Sequence, residues 1–401
     1  MLSLEHARQK ILETLPAATV ERIVLAHAAG RFLAEKLTAP VDLPPFDNSA
    51  MDGYAVRSPD VKTATATEPV RLRVVGRTAA GENFDGVVKG GECVRLFTGS
   101  MLPRGADAVV MQEDTRTDPG QADEILACDP VQPGESIRRK GEDVRRGATL
   151  AEIGDALTPG RVALLSATGV GEISVGRSPI VGLLATGSEL REAGQPLEPG
   201  QIYESNRVAL APLIARVGGV PRIFPLVPDT LAATQYALEN AFAECDIVVT
   251  SGGVSLGEMD FVKSAFEQIG GVLDFWKVAV RPGKPFVFGR HEKKFLFGLP
   301  GNPVSAFVTF LLLVRPALLR WQGAREVGMP SHPGVLAEPL INRGDRRHFM
   351  RMRTDETGKV LSAGLQAAHA LTSLASANGL VDVPPTTTLA AGANVDVLRW
   401  D

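Results

Sequence analysis

The sequence predicts a multidomain α/β protein. A central three-layer α/β domain with a mainly parallel sheet is expected. Around it should sit a small β domain, an elongated helix-containing N-terminal domain and a C-terminal β-barrel-like domain. Three observations lead there. Between residues 178 and 327, apolar strand-length runs alternate with helical segments, the rhythm of a parallel sheet covered on both faces. On either side, in 40–145 and again after 328, short β-type runs with Gly and Pro turns replace that rhythm. A length of 401 residues accommodates two to four cores.

Along the chain, "SLEHARQKILETL" places Leu4, Ala7, Ile11, Leu12 and Leu15 at helical spacing behind Ser3 as a cap, so an amphipathic helix docked on a partner element is expected. The runs "VRLRVV" (70–75), "ECVRLF" (92–97) and "DAVVMQ" (107–112) read as strands of the small β domain. In the centre, "PIVGLLA", "VPRIFPLV", "DIVVT", "FVFG" and "KFLFGLPG" read as strands or extended segments. "NRVALAPLIARVGG", "LAATQYALENAFAEC", "EMDFVKSAFEQIGG" and "NPVSAFVTFLLLV" read as helices. Strand periodicity returns in "GVLAEPL", "RHFMRMR", "GLVDVPP" and "NVDVLRW". The division is 1–43 with 144–177, then 44–143, 178–327 and 328–401.

Composition removes several function classes. A net charge of −4 and 5% aromatic residues argue against a nucleic-acid partner. Cys93, Cys128 and Cys245 are far apart and match no metal-ligand spacing, as expected of small hydrophobes in a reducing compartment. The start "MLSLEHARQK" is charged at once and is no secretory signal. The most apolar stretch, "FVTFLLLVRPALL", is expected to break at Arg315-Pro316, short of a membrane span. A cytoplasmic protein without a membrane partner is the expectation.

Three loops leave predicted strands: "TGSEL" (186–190), "TSGGVSLGEMD" (250–260) and "LPGNPVS" (299–305). In a parallel sheet such loops share one edge and converge on one crevice. Gly252-Gly253 permits backbone angles closed to other residues and close approach of a ligand, although a plain turn capped by Asp260 explains that stretch equally well. Pro300-Gly301-Asn302-Pro303 opens a helix, with Asn302 as cap and Pro303 in the first turn; its amides suit an anion, and a purely structural cap is the alternative. "WKVAVRPGKPFVFG" brings Lys277, Arg281 and Lys284 within eight residues around a Pro-Gly turn. Such a cluster is either a solvated face or a binder of phosphate or a tetrahedral oxyanion. "PPFDNSAMDGYAV", "LFTGSMLPRGADAVVMQED" and "IRRKGEDVRRGATL" add Gly turns, with Thr98 and Asp143 expected to be exposed. None of these is specific alone.

Taken together, "FDNSAMDGYAV", "FTGSMLPRGADAVV", "IRRKGEDV", "TGSEL", "IYESN", "TSGGVSLGEMD", "RPGKPFVFG" and "GLPGNPVSA" resemble, in order over 44–306, the molybdopterin molybdenumtransferases (the bacterial MoeA and gephyrin E-domain family). The resemblance implies insertion of molybdate into adenylylated molybdopterin with release of AMP, assisted by Mg²⁺. It implies an elongated homodimer whose active site lies between the third domain and the second domain of the other subunit. Contacts with a molybdopterin adenylyltransferase and with proteins that mature molybdoenzymes go with it. Carried over residue by residue, the catalytic positions are Asp52, Thr98, Asp143, Asp229, Lys277 and Arg281. Substrate positions are Gly252, Gly253, Ser255, Lys284, Pro300, Gly301, Asn302 and Ser305. Glu189 and Asp260 are hard oxygen donors suited to Mg²⁺, which keeps much of its own water.

The chain departs from the family at a few points. Ser188 stands where the family commonly has aspartate in "TGDEL", Arg281 replaces a lysine of "KPGKP", and Ala368 lacks the hydroxyl of the family's "GSH". "GDRRHFMRMR" carries one more residue than the usual pattern. Two other readings compete. A molybdopterin adenylyltransferase would use the central domain but does not need the "MDGYA" and "GEDV" region. A non-catalytic carrier or scaffold of cofactor or molybdate would account for Ser188 and Ala368.

Overall fold

A computed structural model describes residues 1–117, 120–121, 123–253 and 261–400. Ser255 and Asp260 lie outside the described residues.

The central sheet has six strands in the order Val220–Ile223, Ile180–Ala185, Ile247–Ser251, Lys294–Leu299, Val287–His291 and Val272–Trp276. The first four run parallel, the fifth pairs antiparallel with the fourth, and the sixth antiparallel with the fifth, so only Val287–His291 is reversed. Successive side chains in a strand point to opposite faces, so apolar runs here feed two cores at once. Val181 and Leu183, Ile247 and Val249, and Phe295 and Phe297 pack on one face. Leu184, Val248 and Leu296 pack on the other. That double burial is why these strands read as continuous apolar runs. Helices Asn206–Arg216 and Pro303–Trp321 supply one layer, and Leu231–Glu244 and Phe261–Gln268 the other. The edge strand Val272–Trp276 was not anticipated, because "VLDFW" lacks the length and flanking turns that marked the others.

Two expectations about helices need correcting. Pro303–Trp321 is one helix of 19 residues, long and apolar enough to cross a membrane by length, although 83% of its most apolar stretch is buried in the protein. It does not break at Arg315-Pro316. Phe310–Val314 forms a wider π turn in which Arg315 N–H donates to Phe310 O, and this accommodates the proline ring without ending the helix. Asn302 does occupy the cap position, but its side chain makes no capping hydrogen bond.

The small β domain is a six-stranded sheet ordered Ala108–Met111, Gly53–Val56, Glu92–Leu96, Val70–Thr78, Glu124–Ala127 and Thr115–Thr117. Tyr54, Leu72, Cys93, Val110 and Ile125 share its core. Val20–Val24 pairs with Glu172–Gly176 and Leu37–Thr38 with Thr149–Ala151, around Leu25, Leu33, Leu165 and Ile173. Helix Leu4–Thr14, capped by the Ser3 hydroxyl, buries Leu4, Ala7 and Ile11 in the central core rather than among those strands.

Near the C-terminus five strands close on themselves. Arg347–Thr354, Lys359–Ser362, Ser331–Leu336, Asn394–Arg399 and Gly379–Val383 form the ring, and the last pairs back with the first. Val280–Arg281 adds to the barrel in parallel beside Arg347–His348. The basic loop of the central domain is thereby held by a strand of the last one.

Candidate active site

The loops at the carboxyl ends of the parallel strands border a cavity of about 660 Å³. Glu189, Asp229, Gly252, Gly253, Pro300, Gly301 and Asn302 all line it. A second cavity of about 270 Å³ holds Arg281, Lys284 and Ser305. The two abut across Lys284-Pro285, Pro303 to Ser305, and Ala368-His369, each segment lining one or both. The three strand-end loops meet at the larger cavity, and the basic loop lines a second compartment of opposite character.

The glycines of the larger cavity have a steric origin. Gly252 and Gly253 have φ of +89° and +65°. A Cβ on Gly252 would lie 2.5 Å from the Thr186 carbonyl oxygen, and one on Gly253 2.6 Å from a Val262 methyl. Their lack of side chains lets this loop close on the Thr186 loop, a reason different from the approach of a ligand. Asn206 latches the assembly: its amide donates to Ser251 Oγ at 2.6 Å and to Gly301 O at 2.7 Å.

Ser188 and Asp229 grip each other reciprocally. Ser188 N–H donates to the Asp229 carboxylate at 2.9 Å, and Asp229 N–H donates to Ser188 Oγ at 3.0 Å. The serine thus has a definite task in this chain, orienting Asp229 at the cavity wall. The Glu189 carboxylate is exposed and forms neither ion pair nor hydrogen bond among the described residues. The Thr186 hydroxyl is buried without a partner there.

The smaller cavity is cationic. Arg281, Lys284 and Arg346 line it, and no carboxylate does among the described residues. Gly283, with φ of +107°, makes the loop possible: a Cβ would meet the Thr309 methyl at 2.2 Å, so only glycine lets this loop rest on the helix. Arg346 is held by Val280 O at 2.9 Å. Beneath lies Arg351, fully buried, donating to Ser373 Oγ, Leu365 O and Ala367 O. Burial pushes its guanidinium down to about 10. Ala368 lines the pocket with a methyl group, and its carbonyl accepts from Val304 N–H at 3.1 Å, so one amide at this helix start is already used.

His348, at 3% exposure, sits among these arginines. Burial first, and then the charges of Arg281, Arg351 and Arg346, push its imidazole down to about 4 from 6.5. The unfolded chain binds this proton near pH 6.5 and the folded chain only near 4, so acid favours unfolding in between. The contribution is complete above 6.5 and lost progressively toward pH 4, at most about 3 kcal/mol. His348→Met should flatten that part of a plot of urea midpoint against pH; identical slopes in both proteins would assign His348 an ordinary titration.

Other expected site residues lie elsewhere. Lys277 lines neither cavity; its ammonium sits 3.8 Å from the Trp276 ring centroid and its φ is +74°. Asp52, Thr98 and Asp143 are exposed and line neither cavity. Asp52 accepts from Thr98 N–H at 2.8 Å and from its hydroxyl at 2.7 Å, and these bonds hold the carboxyl below its usual range. Sequence reasoning missed Asn206, Arg346, His348 and Arg351. For Arg346, His348 and Arg351 the run "GDRRHFMRMR" was the one signal, and for Asn206 the stretch "IYESN".

Comparison with known proteins accounts for the whole chain. Residues 2–169 match the MoeA N-terminal region (domain I and II), 182–320 a probable molybdopterin binding domain, and 333–400 the MoeA C-terminal region (domain IV). A molybdopterin molybdenumtransferase of Haemophilus influenzae is 40% identical over 94% of this chain and 93% of its own. A molybdopterin molybdenumtransferase 2 of Mycobacterium tuberculosis is 38% identical over 100% of both. Two solved structures of the molybdopterin biosynthesis MoeA protein of Pyrococcus horikoshii cover 100% of this chain and 99% and 100% of theirs. Their TM-scores are 0.81 and 0.83, at 34% and 31% identity. The chain therefore belongs to the molybdopterin molybdenumtransferases, the transferases of molybdenum cofactor biosynthesis.

Proposed function

We propose that this chain inserts molybdate into adenylylated molybdopterin and releases AMP, with Mg²⁺ assisting. The observation that carries the reading is the junction of two compartments: a cation-lined pocket with no carboxylate among its described lining residues, against a larger cavity bearing Glu189 and Asp229. Molybdate is a small dianion, and Arg281, Lys284 and Arg346 would neutralise it while Ser305 donates a hydrogen bond. The larger cavity takes the organic substrate, with its phosphates toward the glycine loops.

Glu189 and Asp229 fit Mg²⁺, which is held by one or two carboxylates together with substrate phosphates rather than by an all-protein cage. When bound, Mg²⁺ polarises the adenylate phosphate for cleavage. Asp260 belongs to the same proposal. Asp52, Thr98 and Asp143 would complete the site from the second subunit of a homodimer, in keeping with their exposure away from both cavities. A cytoplasmic setting, and contacts with a molybdopterin adenylyltransferase and with molybdoenzyme maturation proteins, complete the reading.

The test is direct. Purified protein mixed with adenylylated molybdopterin, Mg²⁺ and molybdate should release AMP, and omission of Mg²⁺ or molybdate should stop it. Binding of the substrate without any AMP release would replace the transferase by a carrier.

A further inference from the structure

We infer that Tyr203 is the platform on which a flat heteroaromatic ring of the substrate stacks in the larger cavity. The inference rests on the proposed function and names a residue for it. The chain has only three tyrosines. One of them lines this cavity, and among the described lining residues no other Phe, Tyr or Trp does. Tyr203 remains 47% exposed there, beside Ile202 at 54%. Exposure alone does not mark a site, since Tyr236 is 68% exposed away from it; what marks Tyr203 is that its exposed ring lines the cavity.

The ring is also held in place. Leu190–Arg191 and Ile202–Tyr203 form a short parallel pair, with Arg191 opposite Tyr203. The Tyr203 hydroxyl donates to Gln195 O at 2.8 Å, fixing the far edge of the ring. The next residue, Glu204, is buried and pairs with Arg207, itself 1% exposed, at 3.0 Å. Arg207 reaches Glu192 at 2.8 Å on the other strand's exit. One buried guanidinium thus ties down both ends of the 192–204 excursion. An aromatic face fixed before binding loses little freedom when a ring settles on it.

The same ladder links the platform to the acidic group. Ile202 N–H donates to Glu189 O at 2.9 Å, so the open ring and the Glu189 carboxylate stand on paired backbone segments. A heterocycle stacked on Tyr203 is thereby placed at a set distance from the group proposed to serve the phosphates. The substrate offers two such rings, adenine and the pterin. Stacking is sequence-tolerant because every heterocyclic base has a π face.

The full chain should be titrated calorimetrically with AMP and, separately, with 6-hydroxymethylpterin. Tyr203→Ala should weaken at least one of them by about fivefold to a hundredfold. Molybdate affinity and melting temperature should not move, because Tyr203 does not line the cationic pocket and is half exposed. Tyr203→Phe and Tyr203→Trp keep the face and should retain most of the affinity, even though both lose the tether to Gln195. The ligand that is lost in Tyr203→Ala identifies the ring. If Tyr203→Ala binds both ligands as tightly as the unmodified chain, the platform is overturned while the proposed function stands. If the unmodified chain binds neither, the reading of the cavity as an adenylylated-pterin site falls, and the platform with it.

Discussion

Glu189→Gln is expected to fold normally, to bind molybdate as before, and to lose Mg²⁺-dependent AMP release by about a hundredfold or more, since a metal's Lewis-acid role supplies several kcal/mol. The isosteric amide offers Mg²⁺ a neutral oxygen in place of a carboxylate, and hard cations discriminate sharply between the two. Glu189 suits this test because its carboxylate has no structural partner among the described residues, so the substitution strands nothing. Asp229 offers the contrast. Its carboxylate accepts from Ser188 N–H, so Asp229→Ala, which removes that acceptor, is expected to cost stability as well as turnover. Thermal melts and AMP release on the same preparations separate the two effects. Full turnover by Glu189→Gln across a range of Mg²⁺ concentrations would remove Glu189 from the metal site.

Removal of a cation from the smaller pocket is the second large effect. Arg281→Ala and Arg346→Ala should each weaken molybdate binding by about tenfold to a hundredfold, the equivalent of roughly 1.5–3 kcal/mol for a charge-assisted contact. The pocket has no carboxylate among its described lining residues, although Arg346 pairs with exposed Asp345 at 3.6 Å, so the attraction of Arg281 above all is available to an anion. Lys277→Ala should leave molybdate affinity unchanged, because its ammonium rests on Trp276 outside the pocket. Arg281→Lys should recover part of the loss, since charge is kept and the planar fork is not. Equal affinity in all four variants, measured by calorimetry at low ionic strength, would make the pocket a solvated basic face. A loss confined to Lys277→Ala would place the anion on the Trp276 side instead.

Much of the site was legible in the chain. "TGSEL", "SGG" and "LPGNP" each follow an apolar strand, and parallel topology sends such loops to one edge. The cationic loop was equally readable, because Arg281 and Lys284 flank a Pro-Gly turn whose glycine admits no side chain against Thr309. Ser188 was read as a departure that a non-catalytic carrier would account for, and in the structure it is bonded reciprocally to Asp229. Low aromatic content argued against a nucleic-acid partner; a single tyrosine lining a cavity is invisible to composition.

By itself the sequence determined the classes of element and their order, because hydrophobic period and glycine placement are local properties of the chain. Two-sided burial of Val181–Leu184 and Ile247–Val249 follows from such runs alone. The tertiary structure decided who meets whom. That Val280–Arg281 pairs with Arg347–His348 brings Arg346 and Arg351 to the basic loop from about 65 residues away in sequence. That Asn206 ties Ser251 to Gly301, and that Lys277 turns onto Trp276 away from Arg281, depend on backbone pairings set elsewhere. Register between distant strands is chosen by the packing of whole sheets, and no local pattern carries it.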